Sequence, residues 1–143
     1  MIVPMREDHV AQVAALEKRC FSDPWSEKSI EFELYNPLSA WLVAETDGVV
    51  TGYIGAQSVP PEADVMNLAV SPDCRRQGIG AKLLCAMFEL LHGQGIETLF
   101  LEVRPSNSAA IALYEAHGFV QAGRRQKYYV NPTEDALILR KEL

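Results

Sequence analysis

The 143-residue sequence predicts a single α/β domain over residues 1–143, with a mixed central sheet of about seven strands flanked by about four helices. Three observations carry that expectation. The length matches one domain and no more. The spacing of apolar residues switches repeatedly between a period near 3.6 and a period near 2. A strand, a glycine-rich loop, a long apolar helix and another strand follow one another in the middle of the chain, which is the pattern of a parallel crossover.

Taken in order, Met1 to Val3 reads as a short strand ended by Pro4. From Arg6 to Phe21, Val10, Val13, Ala14, Leu16 and Cys20 recur at helical spacing. Ser26 is placed to cap a second helix with Ile30 and Leu34 on one face, and Asn36-Pro37 ends it. Ala40–Ala44 and Val49–Val59 are β-rich runs joined through Asp47-Gly48, a hairpin signal. Asp64–Val70 is a largely apolar strand. Gly78–His92 is a helix with Leu83, Leu84, Met87, Phe88 and Leu91 inward, stopped by Gly93 and Gly95. Thr98–Val103 is the fifth strand, Pro105-Ser106-Asn107-Ser108 opens a helix that runs to His117, and 120–130 and 136–139 are the last two strands.

Composition narrows the function classes. Thirteen basic and nineteen acidic residues leave a net charge of −6, which disfavours phosphate backbones as partners and favours a cationic one. With 48% apolar residues the chain can bury a core, so disorder is excluded. Acidic residues directly after the N-terminus and the absence of a long apolar run predict no secretory signal and no membrane span, hence a cytoplasmic protein. Cys20, Cys74 and Cys85 are odd in number and unclustered, so neither a disulfide framework nor a metal site is expected. Cys85 reads as core. His9, His92 and His117 share no ligand spacing and read as surface or capping residues.

The most informative segment is Leu68-Ala69-Val70-Ser71-Pro72-Asp73-Cys74-Arg75-Arg76-Gln77-Gly78-Ile79-Gly80. A strand runs into a loop with two arginines and two glycines, and the loop opens a helix whose first N–H groups are free donors at a positive dipole end. That combination suits a pyrophosphate. The spacing matches neither a P-loop, which needs GxxxxGK[ST], nor the dinucleotide fingerprint, whose third glycine is replaced by Leu83.

Arg75-Arg76-Gln77-Gly78-Ile79-Gly80 does resemble the Arg/Gln-x-x-Gly-x-Gly/Ala element of the GCN5-related N-acetyltransferase (GNAT) superfamily. Asn107-Ser108-Ala109-Ala110-Ile111-Ala112-Leu113-Tyr114, ending at Gly118-Phe119, is similar to that superfamily's Asn-x-x-Ala-x-x-Leu-Tyr-x-x-x-Gly-Phe element, in the right order and spacing. The resemblance implies the GNAT fold and acetyl-CoA as cosubstrate, with no metal. It implies that Leu68, Ala69, Val70, Arg75, Arg76, Gln77, Gly78, Ile79, Gly80 and Ala81 hold the pantetheine and pyrophosphate, and that Asn107 bonds the pantetheine arm or caps its own helix. It also implies Glu102 as general base and Tyr114 as general acid, in direct transfer within a ternary complex.

Phe21-Ser22-Asp23-Pro24-Trp25-Ser26, Asn67-Leu68-Ala69-Val70, Leu101-Glu102-Val103-Arg104 and Gly123-Arg124-Arg125-Gln126-Lys127-Tyr128-Tyr129 with Glu134-Asp135-Ala136 resemble the branch that acetylates the N-terminal alanine of small-subunit ribosomal protein eighteen. The implied partner is the N-terminus of a basic ribosomal protein, met by a monomer, with Asp23, Glu102, Glu134 and Asp135 suited to its charge. Other protein N-termini, lysines or a small amine are the alternative acceptors, and a non-catalytic coenzyme A-binding module is the alternative class. An α-amine suits a modest base, because forming the neutral nucleophile at pH 7 costs about 1.4 kcal/mol against about 4.6 for lysine. Tyr128 and Tyr129 border the acceptor groove, and strand alternation predicts that at most one points inward.

Overall fold

The computed structural model describes residues 1–143. Seven strands form one sheet: β1 (Ile2–Pro4), β2 (Ser39–Thr46), β3 (Val49–Val59), β4 (Glu62–Val70), β5 (Thr98–Val103), β6 (Val120–Tyr129) and β7 (Glu134–Glu142). Four helices accompany them: α1 (Val10–Cys20), α2 (Glu27–Leu34), α3 (Ile79–Gly93) and α4 (Ser108–Ala116). The spatial order is β1-β2-β3-β4-β5-β7-β6, and only β4 and β5 run parallel, joined across one face by α3. The expected seven strands and four helices are present, with shifted ends. A 3₁₀ turn, Glu7–His9, replaces the first turn of the predicted first helix, and β7 extends to Glu142 because its second half pairs along the whole of β5.

Local chemistry explains the element ends. Asp47 (φ +51°) and Gly48 (φ +79°) take the paired left-handed conformations of the tight β2–β3 hairpin. The Ser26 side chain accepts from the Ser29 N–H at the start of α2. Packing then locks the layers. On one face of the sheet, Leu83, Leu84, Met87 and Leu91 of α3 are fully buried among Ile54, Leu99 and Leu101. On the other, Val13, Leu16 and Ile30 of α1 and α2 cover Val43 and Tyr53. Each such side chain contributes roughly 1.5–3 kcal/mol on burial, more than intrinsic helix preference supplies, so the layers rather than local propensity hold the helices.

One expectation fails for a geometric reason. Cys85 is exposed: one position past Leu84 and two past Leu83, it is turned away from the stripe that packs on the sheet. His9 is almost fully buried; its Nδ1 accepts the Arg6 N–H while Nε2 meets the Glu45 carboxylate, so it caps the 3₁₀ turn from the interior. His117 does act as a cap, with Nδ1 2.8 Å from the Leu113 carbonyl. No helix is long and apolar enough to cross a membrane.

Candidate active site

The parallel pair at the sheet centre comes apart. β4 and β5 are in register from Glu62–Thr98 to Val65–Leu101, but β4 continues to Val70 and β5 to Val103 without further pairing. The β5-facing edge of Met66–Val70 therefore has no sheet partner, although β3 still holds the opposite edge. Leu68, Ala69 and Val70 all lie on this open half of β4. The Val70 carbonyl is not wholly free, because Arg75 Nε donates to it at 3.3 Å.

Beyond Val70 the chain makes a second 3₁₀ turn, Pro72–Cys74, and then the arginine-glycine loop. Arg76 (φ +67°) and Gly78 (φ +76°) are left-handed, and this kinked backbone turns the chain into α3. Unlike α2 and α4, α3 has no side-chain cap: Gly78 is its N-cap, which leaves the N–H groups of Ile79, Gly80 and Ala81 as the orphan donors of its first turn. Gly80 serves packing instead, since a Cβ there would sit 3.2 Å from Leu113 Cδ2. Arg75, Arg76 and Gln77 are exposed, and neither arginine is salt-bridged to a carboxylate. Uncapped donors, two available guanidiniums and an unpaired strand edge thus converge on one cleft, a fit for a phosphate group joined to an amide-bearing arm.

Across the cleft stand the proposed acid and base. Glu102 is on the end of β5 that has parted from β4 while still paired to β7, and its Oε1 accepts from Arg125 Nε of β6 at 3.0 Å. Tyr114 of α4 is 7% exposed and packs edge-on against Phe119, ring centroids 5.5 Å apart, and burial pushes its phenol well above the usual range. Its hydroxyl is not sealed in the core, as the one enclosed side-chain polar atom without a partner is Trp41 Nε1. Tyr129 stands near both: burial, then the Glu102 charge, raises it to about 12. Asn107 caps α4, its Oδ1 accepting the Ala110 N–H at 3.2 Å.

Strand alternation fails at the end of β6. Register breaks between Arg125 and Tyr129, and Lys127 is left-handed (φ +51°), so Tyr128 and Tyr129 both come close enough for the Glu102 charge to raise their phenols, after burial. Tyr128 nevertheless stays exposed while Tyr129 is half-buried, in keeping with at most one of them facing inward. The expected use of Glu134 and Asp135 to attract a cationic partner is corrected. Glu134 is bound to Arg104 at 3.3 Å and to Ser106 N–H and Oγ, while Asp135 pairs with Arg124 at 2.7 Å and accepts the Lys127 N–H. Arg104 also donates to the Val130 and Pro132 carbonyls, both at 2.8 Å, so these charges build the β6–β7 connection. Sequence reading assigned no role to Arg104, Arg125 or Asp64, because their partners lie on other strands.

Over residues 10–119 the chain matches the model of the Acetyltransferase (GNAT) family. It is 43% identical over 131 residues to the [ribosomal protein bS18]-alanine N-acetyltransferase of Salmonella typhimurium, covering 87% of this chain and 84% of that protein. To the Escherichia coli protein of the same name it is 40% identical over 126 residues, with the same coverage of each. The crystal structure of the ribosomal-protein-S18-alanine N-acetyltransferase from Escherichia coli superposes with a TM-score of 0.91 at 35% identity, covering 99% of this chain and 92% of that one. The split central pair, the uncapped α3 and the two sequence elements that flank them have one explanation between them, and the chain belongs to the GNAT acetyltransferase family.

Proposed function

We propose that this acetyltransferase moves the acetyl group of acetyl-CoA onto the N-terminal α-amine of ribosomal protein bS18, the acceptor named for its relatives. The observation that carries the reading is the cleft where β4 and β5 part: an uncapped helix start and an open strand edge on one side, an accessible carboxylate on the other. The N–H groups of Ile79, Gly80 and Ala81, with Arg75, Arg76 and Gln77, take the pyrophosphate. The open edge of Leu68–Val70 and the amide of Asn107 take the pantetheine arm. Bound this way, acetyl-CoA supplies an activated thioester beside the acceptor amine.

The amine nitrogen then attacks the thioester carbonyl carbon, the N–C bond forms, and the C–S bond breaks. Glu102 removes a proton from the amine, directly or through one water. Tyr114, held neutral by burial, gives its hydroxyl proton to the departing sulfur. A carboxylate base is matched to an α-amine, whose deprotonation at pH 7 is about 3 kcal/mol easier than lysine's. Asp64 and Glu102 leave the acceptor face acidic, which suits a basic N-terminal segment. A monomer acting in the cytoplasm is the reading in keeping with a ribosomal-protein acceptor.

Intact-mass analysis with acetyl-CoA tests this on three acceptors: a free Ala-Arg N-terminal peptide, an N-blocked lysine peptide and a polyamine. One acetyl group on the free N-terminus alone is expected. Acetylation confined to lysine or polyamine refutes it.

A further inference from the structure

Glu102 meets the acceptor side of the cleft already occupied. Arg125 reaches over β7 from β6, and its Nε lies 3.0 Å from Glu102 Oε1, so a cation sits where the acceptor's ammonium must arrive. Arg125 is also the last residue of β6 in register with β7 before the bulge that ends at Tyr129, which gives its backbone room to shift.

A second carboxylate is near. Asp64 on β4 pairs in register with Phe100, two residues before Glu102, so Asp64, Phe100 and Glu102 share one face of the sheet. Asp64 is in none of the ion pairs of the protein, whereas Glu102, Glu134 and Asp135 each hold an arginine. Partial burial and the charges of Glu102 and Glu62 push its carboxyl upward, and the only cation opposing them is Arg125. The other groups facing Glu102 are the Tyr128 and Tyr129 phenols, and Arg104 is bound to Glu134 and to two carbonyls.

We infer that Arg125 is a positioning residue that changes partners during the catalytic cycle: it pairs with Glu102 in the free enzyme and passes to Asp64 when the acceptor amine takes its place. This rests on Glu102 being the base. Two cations competing for one carboxylate would weaken acceptor binding, and a second carboxylate on the same face lets both charges stay paired.

Steady-state kinetics of the full chain with acetyl-CoA and the Ala-Arg peptide test the exchange in Asp64→Asn, Arg125→Gln, Arg125→Lys, Glu102→Gln and the Asp64→Asn/Arg125→Gln double variant. Asp64→Asn is expected to raise the acceptor KM about tenfold, with the effect falling on that KM rather than on kcat or the acetyl-CoA KM, and to have no such effect once Arg125 is glutamine. Arg125→Gln is expected to leave the acceptor KM no higher than in the unsubstituted protein, because it removes the cation that competes for Glu102, whereas Arg125→Lys keeps one. An equal rise in acceptor KM from Asp64→Asn in both backgrounds would mean that Asp64 touches the acceptor itself and overturns the exchange. A rise in acceptor KM from Arg125→Gln alone also overturns it. Undiminished turnover in Glu102→Gln would remove the base assignment instead, so the two failures are separable.

Discussion

Gly48 and Gly78 form a matched pair that separates backbone strain from cosubstrate contact. Both are left-handed, at φ +79° and +76°, and a Cβ built at either meets no atom within 4 Å. Alanine at each position therefore carries the same folded-state penalty, the strain of a left-handed L residue, about 1–2 kcal/mol, with no clash in the free protein. For a domain of this size that corresponds to a fall in Tm of roughly 4 °C per kcal/mol. The positions differ only in what lies outside. Gly48 turns a hairpin, whereas Gly78 caps the helix whose first donors face the proposed pyrophosphate. Gly78→Ala should therefore raise the acetyl-CoA KM at least about tenfold, equivalent to about 1.4 kcal/mol, while Gly48→Ala leaves it unchanged. Differential scanning fluorimetry and initial rates at saturating peptide measure the two effects separately. Equal Tm losses with equal acetyl-CoA KM values would refute the phosphate assignment of this loop, and a much larger Tm loss for Gly78→Ala would refute the strain argument.

Glu102→Gln should keep acetyl-CoA affinity, measured by calorimetry, and lower turnover about 10²-fold or more near neutral pH. Tyr114→Phe removes a hydroxyl not needed by the core, so single-turnover transfer should slow while Tm stays within a few degrees. The Glu134 and Asp135 carboxyls are held below their ordinary values of 4.5 and 3.8, chiefly by Ser106 and by the Lys127 N–H respectively, with Arg104 and Arg124 adding to this. Lowered folded-state values mean that their contribution to the β6–β7 connection is present above the unfolded values and lost as pH falls through the folded ones. The Ser106 and Lys127 amide resonances should therefore titrate below pH 4.5 and 3.8. Midpoints above those values would show that the bonds do not form in solution.

Several parts of the molecule were legible before any fold was known because their causes are local. Asp47-Gly48 needs only its own two residues to turn a hairpin, and Ser26 caps the helix that follows it. Arg75 to Gly80 and Asn107 to Phe119 are continuous stretches whose spacing can be matched without knowing what faces them. Cys85 shows the margin of such reasoning: placing it on the wrong side of α3 took an error of a single position on the helical wheel.

What depended on neighbours far along the chain was decided by tertiary structure alone. No sequence rule says that β4 and β5 stop pairing after Val65 and Leu101, since each strand is regular on its own and only their divergence opens the cleft. The acidity of the chain pointed to a cationic partner, yet Glu134 and Asp135 are spent on Arg104 and Arg124, and it is Asp64, with no signal in its own segment, that remains unpaired beside Glu102. The amino-acid sequence determined the elements, their order and the arginine-glycine loop before α3, because hydrophobic period, turn chemistry and capping act over a few residues. The three-dimensional fold decided which charges stay available to a substrate, because an ion pair forms between groups that are close in space, whatever their separation along the chain.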